Sequence, residues 1–183
     1  PYTSIVSLQG LLEKTIYISG FSKMFAMTGW RLGYAIAKPE IIANMTKLHE
    51  YGASCLPAPS QMAAAYALRH CDEAVEHMRL QYGRRRDLLC NLVNDTPGIS
   101  IRPPRGAFYG FINVKPLMKA SGMDSRALCM DILRQTGVVT VPGSGFGEAG
   151  EGYIRMTYAA SETKIREGIC RIRRYISEKR LFD

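Results

Sequence analysis

Residues 20–34 of the 183-residue chain read GFSKMFAMTGWRLGY. This stretch lies between two short apolar runs, residues 15–19 (TIYIS) and 32–37 (LGYAIA), whose β-branched and aromatic side chains are typical of buried strands. We expect a loop between these strands, with Lys23 surrounded by the aromatic and methionine side chains of the same stretch. An ammonium group in such surroundings is costly unless it is paired or loses its proton.

The residue types in this loop indicate a particular kind of ligand. A neutral lysine amine can attack an aldehyde and form a Schiff base, and an arginine can bind a phosphate through two parallel hydrogen bonds. Lys23 and Arg31 together therefore suit pyridoxal phosphate, which carries both groups. The same residues also fit a lysine that extends into solvent beside a packing arginine, and spacing alone favours this simpler interpretation.

Strands and helices alternate along the rest of the chain, which predicts the α/β class. The last helix has the clearest pattern, an isoleucine stripe at helical spacing that follows Ser161 as its N-cap: Ile165, Ile169, Ile172 and Ile176. Other helices are predicted from Pro39, over 61–68 with Ser60 as N-cap, over 72–94 and over 125–135. Further strands are predicted over 99–101, 107–114, 138–141 and 153–158, and residues 52–59 are predicted to be irregular.

Apolar strands such as the first two normally lie inside a larger sheet that is covered on both faces. We therefore expect residues 1–71 to be the C-terminal remnant of a larger domain. Residues 72–183 are expected to form a connector helix and a small C-terminal α/β domain. The chain begins with Pro1 rather than Met, which fits an N-terminus that was processed or cut from a longer protein.

Composition limits the classes of function. The net charge of +8 would attract anions, but the basic residues are spread out, and the one dense run, residues 84–86 (RRR), fits a solvated helix face. We therefore predict no nucleic-acid partner. No segment has the length and apolar character of a membrane span or signal peptide, so no membrane association is predicted. Five widely spaced cysteines predict reduced thiols in a cytoplasmic protein, and without a zinc-like ligand pattern we predict no metal.

One glycine motif resembles a nucleotide-binding fingerprint but lacks the helix that such a site requires. Residues 145–150 (GFGEAG) match G-x-G-x-x-G, but the dinucleotide fingerprint requires a helix immediately afterwards to receive the pyrophosphate. Here the sequence continues into the predicted strand 153–158. We therefore predict a glycine-rich turn and no nucleotide site.

Residues 20–34 resemble the lysine signature of the class I and II aminotransferases, the fold-type-I pyridoxal phosphate enzymes. They are most similar to the branch that reads F-S-K-x-F-A-M-T-G-W-R-L-G-Y. The similarity continues in residues 102–109 (RPPRGAFY), 139–147 (VTVPGSGFG) and 153–159 (YIRMTYA), and it covers essentially the whole chain. The resemblance implies a homodimeric, pyridoxal-phosphate-dependent aminotransferase that transfers an amino group between an amino acid and a 2-oxo acid.

Carried over by position, the resemblance implies a role for three residues. Lys23 would form the Schiff base with the cofactor and then move a proton between the substrate α-carbon and the cofactor. Arg31 would bind the cofactor phosphate, and Arg155 would bind the substrate α-carboxylate as a bidentate fork. Residues 54–59 would approach the partner subunit's cofactor pocket. They include no arginine, so aspartate is not the expected donor, and neutral and aromatic amino acids stay open.

The chain departs from the family pattern in two ways. Gly20 stands where many relatives have a serine that contacts the phosphate, and the family's N-terminal half of the site is absent. The resemblance therefore implies a C-terminal fragment that is inactive, or nearly so, by itself. Two alternatives stay open: a lyase or synthase of the same fold, and an aminotransferase-like ligand-sensing domain of a DNA-binding regulator.

Overall fold

Helices and strands alternate in the computed structural model, which describes residues 3–182, and this confirms the predicted α/β class. The helices are α1 (Phe21–Met24), α2 (Pro39–Ala53), α3 (Ala58–His70), α4 (Asp72–Asn94), α5 (Lys115–Ser121), α6 (Ser125–Thr136) and α7 (Glu162–Glu178). The strands are β1 (Tyr17–Gly20), β2 (Gly33–Ile36), β3 (Tyr109–Asn113), β4 (Val141–Pro142) and β5 (Tyr153–Thr157).

The chain divides into two compact units within α4, between His77 and Met78. The first unit contains β1, β2 and the helices α1 to α3, and the second contains β3 to β5 and the helices α5 to α7. The domains predicted from the sequence, residues 1–71 and 72–183, assign all of α4 to the second domain, and that assignment stays a prediction.

In the first unit, β1 and β2 form an antiparallel pair in which Gly20 lies opposite Gly33. Residues 21–32 leave the sheet at one glycine and return at the other. The core of this unit consists of three buried side chains from that connection and two small ones from α3: Phe21, Met27, Leu32, Ala64 and Ala67. The connection between the strands is therefore anchored by its own apolar residues.

The prediction that β1 and β2 are buried is wrong for the described residues. Ile18 of β1 is 73% exposed, and Ile16, which precedes the strand, is 52% exposed. The sheet has two strands in the described part of the chain. Because no third strand flanks it there, these apolar side chains stay in contact with solvent.

The second unit contains an antiparallel sheet of three strands in the order β3-β5-β4. One face of this sheet is buried and contributes Ile112, Ile154 and Met156 to a core that also includes side chains of α4, α6 and α7. The opposite face carries Tyr109, Phe111 and Arg155, since successive residues of a strand point to opposite faces.

The terminal helix confirms the clearest sequence pattern. Ser161 is the N-cap of α7, and its side chain accepts a hydrogen bond from the Lys164 backbone N–H at 3.3 Å. All four isoleucines of the predicted stripe are buried, with exposed fractions of 1–3%. The period of 3.6 residues therefore identifies the face of α7 that packs on the core.

The predicted start of α3 is wrong. The helix begins at Ala58, after Pro57, and the backbone N–H of Ser60 already donates to the Pro57 carbonyl at 3.0 Å. Pro59 lies in the first turn of this helix. Proline is accepted there because its missing N–H would have no intrahelical partner. The irregular segment predicted over 52–59 is therefore reduced to residues 54–57.

The predicted strand over 99–101 is a loop that a helix side chain holds in place. The backbone N–H of Ile101 donates to the Asn94 side-chain oxygen at 2.8 Å, and the Asn94 side-chain amide donates to the Ile101 carbonyl at 3.2 Å. Ser100 forms one isolated bridge with Asn113. The backbone of Ile101 is thus paired with a side chain, and within this loop only Ser100 pairs with a strand residue.

Three further differences concern element bounds. The strand predicted over 107–114 begins at Tyr109, because Ala107 has a left-handed backbone with φ of 60°. The strand predicted over 138–141 is limited to β4, and α5 is a helix that the sequence analysis does not predict.

Ile169 tests the packing of α7. It is 1% exposed, so the substitution Ile169→Ala is expected to lower the free energy of unfolding by about 2–5 kcal/mol through lost burial and a residual cavity. Urea unfolding measures this change. The matched control is Arg166→Ala on the exposed face of the same helix, which should change stability by less than about 0.5 kcal/mol. Equal losses in the two variants would contradict the assigned packing.

Candidate active site

Lys23 lies on α1, a single helical turn that begins directly after β1, and not in a loop as the sequence predicts. Phe21, at the start of this turn, is buried in the core, whereas Lys23 and Met24 are exposed. Lys23 is two positions after Phe21, and side chains at that spacing point to opposite sides of a helix. The expected burial of Lys23 among apolar side chains is therefore wrong for the described residues: Phe21 and Met27 lie in the core, whereas Lys23, Met24 and Trp30 are exposed.

Arg31 follows a 3-10 turn, Thr28–Trp30, and has a left-handed backbone with φ of 55°. Its Nη1 donates a hydrogen bond to the Thr28 carbonyl at 3.1 Å. A guanidinium carries further N–H donors, so this one bond leaves donors on the same group for an anion. Ala26, in the same connection, is also left-handed, with φ of 54°. Non-glycine residues in this conformation are uncommon and occur often at functional sites.

Two glycines hold the ends of the segment that contains Lys23 and Arg31. A Cβ on Gly20 would lie 3.1 Å from the Leu32 carbonyl oxygen, and a Cβ on Gly33 would lie 3.2 Å from the Ser19 carbonyl oxygen. The two strands approach closely at this point because neither residue has a side chain. Lys23, three residues after Gly20, and Arg31, two residues before Gly33, therefore share one short connection at one end of the sheet.

Arg155 belongs to the second unit and lies on β5, the central strand of its sheet, opposite Phe111 of β3 and Val141 of β4. Without the family resemblance it would be taken for a cation on an edge strand, which the strand order contradicts. Its guanidinium carbon lies 4.3 Å from the centroid of the Tyr109 ring and 4.7 Å from that of the Phe146 ring. These are cation–π distances.

The sequence analysis does not identify Tyr109 and Phe146 as site residues. The signal for Tyr109 is its period-two position on β3, where it shares the exposed sheet face with Phe111 and Arg155. Phe146 lies outside any strand, and its place depends on how the glycine-rich turn folds. It contacts Phe111 edge-on, with the ring centroids 6.1 Å apart.

The glycine-rich segment, residues 143–150, consists of two consecutive 3-10 turns, Gly143–Phe146 and Glu148–Gly150. The chain then enters β5 rather than a helix. The rejection of a dinucleotide fingerprint is therefore confirmed: no helix N-terminus follows the glycines to receive a pyrophosphate.

The Glu151 carboxylate links this segment to α6 through hydrogen bonds. The Ser125 hydroxyl and backbone N–H donate to the two oxygens of Glu151, at 2.6 Å and 2.8 Å. These two bonds hold the pKa of the Glu151 carboxyl below its ordinary value. Since the Ser125 hydroxyl proton is used in this way, the Ser144 hydroxyl, 3.1 Å away, donates to the Ser125 oxygen.

Residues 3–182 show neither a metal-binding cluster nor a membrane-spanning helix. No cluster of three or more His, Cys, Asp or Glu side chains in that range could hold a metal ion. Within the same residues, no helix combines the length and the apolar character that crossing a membrane requires.

The class of protein follows from comparison with known proteins. The sequence profile of the family described as aminotransferase class I and II matches residues 2–172, and the chain belongs to this family. It is 45% identical over 182 residues to an aspartate aminotransferase of Pyrococcus abyssi, with 97% of this chain and 45% of that protein covered. It is 43% identical over 180 residues to aromatic-amino-acid aminotransferase 2 of Thermococcus litoralis, with 97% and 45% covered.

Solved structures agree on the fold. The aromatic aminotransferase of Pyrococcus horikoshii superposes with a TM-score of 0.88 at 42% sequence identity, covering 98% of this chain and 47% of that one. The likeness confirms the predicted fold class, that of the fold-type-I enzymes. The chain spans less than half the length of these relatives.

Glu151 predicts a pH dependence of stability. Because its pKa is lowered in the folded protein, its bonds stabilise the fold above the ordinary value of 4.5 and lose their contribution as the pH falls through the lower folded value. In urea unfolding, Glu151→Gln should therefore be less stable than the parent protein at pH 7, and the difference should shrink below about pH 4. Glu148→Gln, an exposed neighbour, serves as the control. A difference that stays constant down to pH 3 would be evidence against these bonds.

Proposed function

We propose that this chain provides the lysine and the two arginines of a pyridoxal-phosphate-dependent aminotransferase, which transfers an amino group between an amino acid and a 2-oxo acid. The observation that carries the proposal is the position of Lys23 and Arg31 in one connection closed by Gly20 and Gly33. Membership of the aminotransferase family supports it.

The chemistry of the donor set fits the cofactor. Lys23 is exposed on α1, and a lysine amine forms a Schiff base with an aldehyde. Arg31 is held by one bond to Thr28 and keeps donors for a phosphate. A residue with a side chain at position 20 would lie against the Leu32 carbonyl. At Gly20 the site is therefore lined by backbone atoms alone. Lys23 and Arg31 are thus the residues that would hold pyridoxal phosphate.

Each residue has a distinct part in the reaction. Pyridoxal phosphate, when bound, supplies the electron sink that makes loss of the substrate α-proton feasible. The Lys23 amine would accept the proton from the substrate α-carbon as a general base and, as an ammonium group, would donate it again as a general acid. Arg31 neutralises and orients the phosphate. Arg155 would bind the α-carboxylate through parallel N–H donors, which restricts the orientation of the substrate.

The substrate side chain is proposed to be neutral or aromatic. Residues 54–59 include no arginine that could pair with a side-chain carboxylate. One relative is named an aromatic-amino-acid aminotransferase and another an aspartate aminotransferase. We favour transfer over elimination because these relatives are named for transfer.

The whole protein is proposed to be a cytoplasmic homodimer. Its five cysteines are unpaired, which suits a reducing compartment. Large apolar side chains of α2 and α3 are strongly exposed, among them Leu48, Tyr51 and Met62. Exposed apolar surface of this kind is typical of an interface, which supports coverage of the first unit by further protein.

The central experiment identifies the lysine that reacts with the cofactor. The complete gene product is mixed with pyridoxal phosphate, reduced with borohydride and digested, and the labelled peptide is identified by mass spectrometry. We expect the label on Lys23, because its amine shares the connection with the phosphate-binding Arg31. Lys23→Ala should abolish both the label and transamination.

Lys38 and Lys47 are the internal controls, since both lie in the same unit as Lys23. Label on either of them, with none on Lys23, contradicts the proposal. Loss of the label after Lys23→Ala, with Lys38 and Lys47 still unmodified, supports it.

Arg155 is tested by Arg155→Lys, which keeps the charge but loses the fork. The KM for the amino acid and for the 2-oxo acid should rise about 10- to 100-fold, as expected for the loss of a charge-assisted hydrogen bond. The dissociation constant for pyridoxal phosphate should stay the same within about twofold. Steady-state kinetics and absorbance titration measure the two quantities. Equal losses of substrate and cofactor binding would contradict the role assigned to Arg155.

A further inference from the structure

The guanidinium of Arg155 is held by aromatic rings rather than by an acidic side chain. Tyr109 and Phe146 contact it at 4.3 Å and 4.7 Å. Among residues 3–182, no carboxylate lies within ion-pair distance of it. A carboxylate partner would occupy the N–H donors of the arginine and neutralise its charge. Ring faces attract the cation without accepting its in-plane N–H groups as a carboxylate does.

Phe146 reaches this position because the glycine-rich segment folds back tightly on itself. A Cβ on Gly143 would lie 2.0 Å from the Gly150 carbonyl oxygen, and a Cβ on Gly150 would lie 2.0 Å from the Gly143 carbonyl oxygen. Both contacts are with backbone atoms that cannot move aside as a side chain can. Glycine is therefore required at both ends of the segment, and Phe146 lies between them.

The same segment is tied to α6 at both ends. Ser144, two residues before Phe146, donates to the Ser125 hydroxyl oxygen, and Glu151, directly after the segment, accepts both the hydroxyl and the backbone N–H of Ser125. Ser125 is fully buried, with an exposed fraction of 0%. The segment is thus hydrogen-bonded to a buried residue on both sides of Phe146.

We propose that Phe146, held by the glycine-rich segment, is a positioning residue that fixes the Arg155 guanidinium, together with Tyr109, for the substrate carboxylate. This inference rests on the proposed carboxylate-binding role of Arg155. An arginine side chain loses substantial rotamer freedom when it is immobilised. Because the rings restrict it before the substrate binds, less of that entropy is lost on binding.

The test uses the complete gene product loaded with pyridoxal phosphate, assayed with phenylalanine and 2-oxoglutarate. Phe146→Leu should raise the KM for both substrates about 3- to 30-fold, the range of a cation–π contact, with kcat changed less than about twofold. Phe146→Tyr, which keeps a ring, should restore KM to within about twofold of the parent value. Phe146 is 53% exposed, so neither variant should alter the circular dichroism spectrum.

A ligand pair separates positioning of the arginine from a change in pocket shape. Calorimetry compares 3-phenylpropionate with 3-phenylpropanol, which has the same ring but no carboxylate. Phe146→Leu should weaken binding of the acid and leave that of the alcohol unchanged. Equal weakening of both ligands would show that Phe146 is part of the pocket wall and would overturn the proposal.

A double-mutant cycle with Arg155→Gln gives the final discrimination. If Phe146 acts through Arg155, Phe146→Leu lowers kcat/KM in the parent background and has little further effect once the guanidinium is gone. Additive losses overturn the inference.

If Arg155→Lys itself leaves substrate binding unchanged, the proposed role of Arg155 fails. If Arg155→Lys weakens binding as expected and Phe146→Leu does not, the positioning inference alone fails.

Discussion

The backbone contact between Gly20 and Gly33 is the constraint on which the first unit depends. It brings the ends of residues 21–32 together, and Phe21, Met27 and Leu32 then anchor that connection on α3. The left-handed residues Ala26 and Arg31 cost about 1–3 kcal/mol each. Burial of the three apolar side chains contributes about 1.5–3 kcal/mol each and can offset that cost. The apolar residues of the stretch thus stabilise the backbone conformation, and its polar residues stay exposed for chemistry.

The contrast between buried apolar residues and exposed polar residues explains which parts of the site can be predicted from sequence. The motif around Lys23 and Arg31 identifies the family, and the α/β alternation and the α7 stripe follow from hydrophobic period. The burial expected for Lys23 is wrong because the orientation of a single helical turn depends on contacts with Ala64 and Ala67, which lie far along the chain. The predicted strand over 99–101 is limited to one bridge, at Ser100, for a similar reason: the Asn94 side chain satisfies the backbone of Ile101.

The two units differ in how completely each encloses its own core. The second has helices α4, α6 and α7 around one buried sheet face, and its largest buried side chains include Ile112, Ile154 and Ile169. The core of the first unit is small, and Ile18 and Leu48 are more than 70% exposed. A surface of that kind is stabilised when further protein covers it. This contrast agrees with a chain that spans less than half the length of its relatives.

Phe146, which we propose positions Arg155, shows why some residues cannot be assigned a role from sequence pattern alone. The glycines around it match a nucleotide motif, yet their physical purpose is the close backbone contact between Gly143 and Gly150. That contact, and the buried Ser125 that anchors it, depend on residues distant in sequence. For the proposed role, Arg155 has to be held in place without being neutralised, and an aromatic face meets both requirements. The turn over residues 143–150 brings Phe146 to the Arg155 guanidinium. The sequence of the turn alone does not predict this contact.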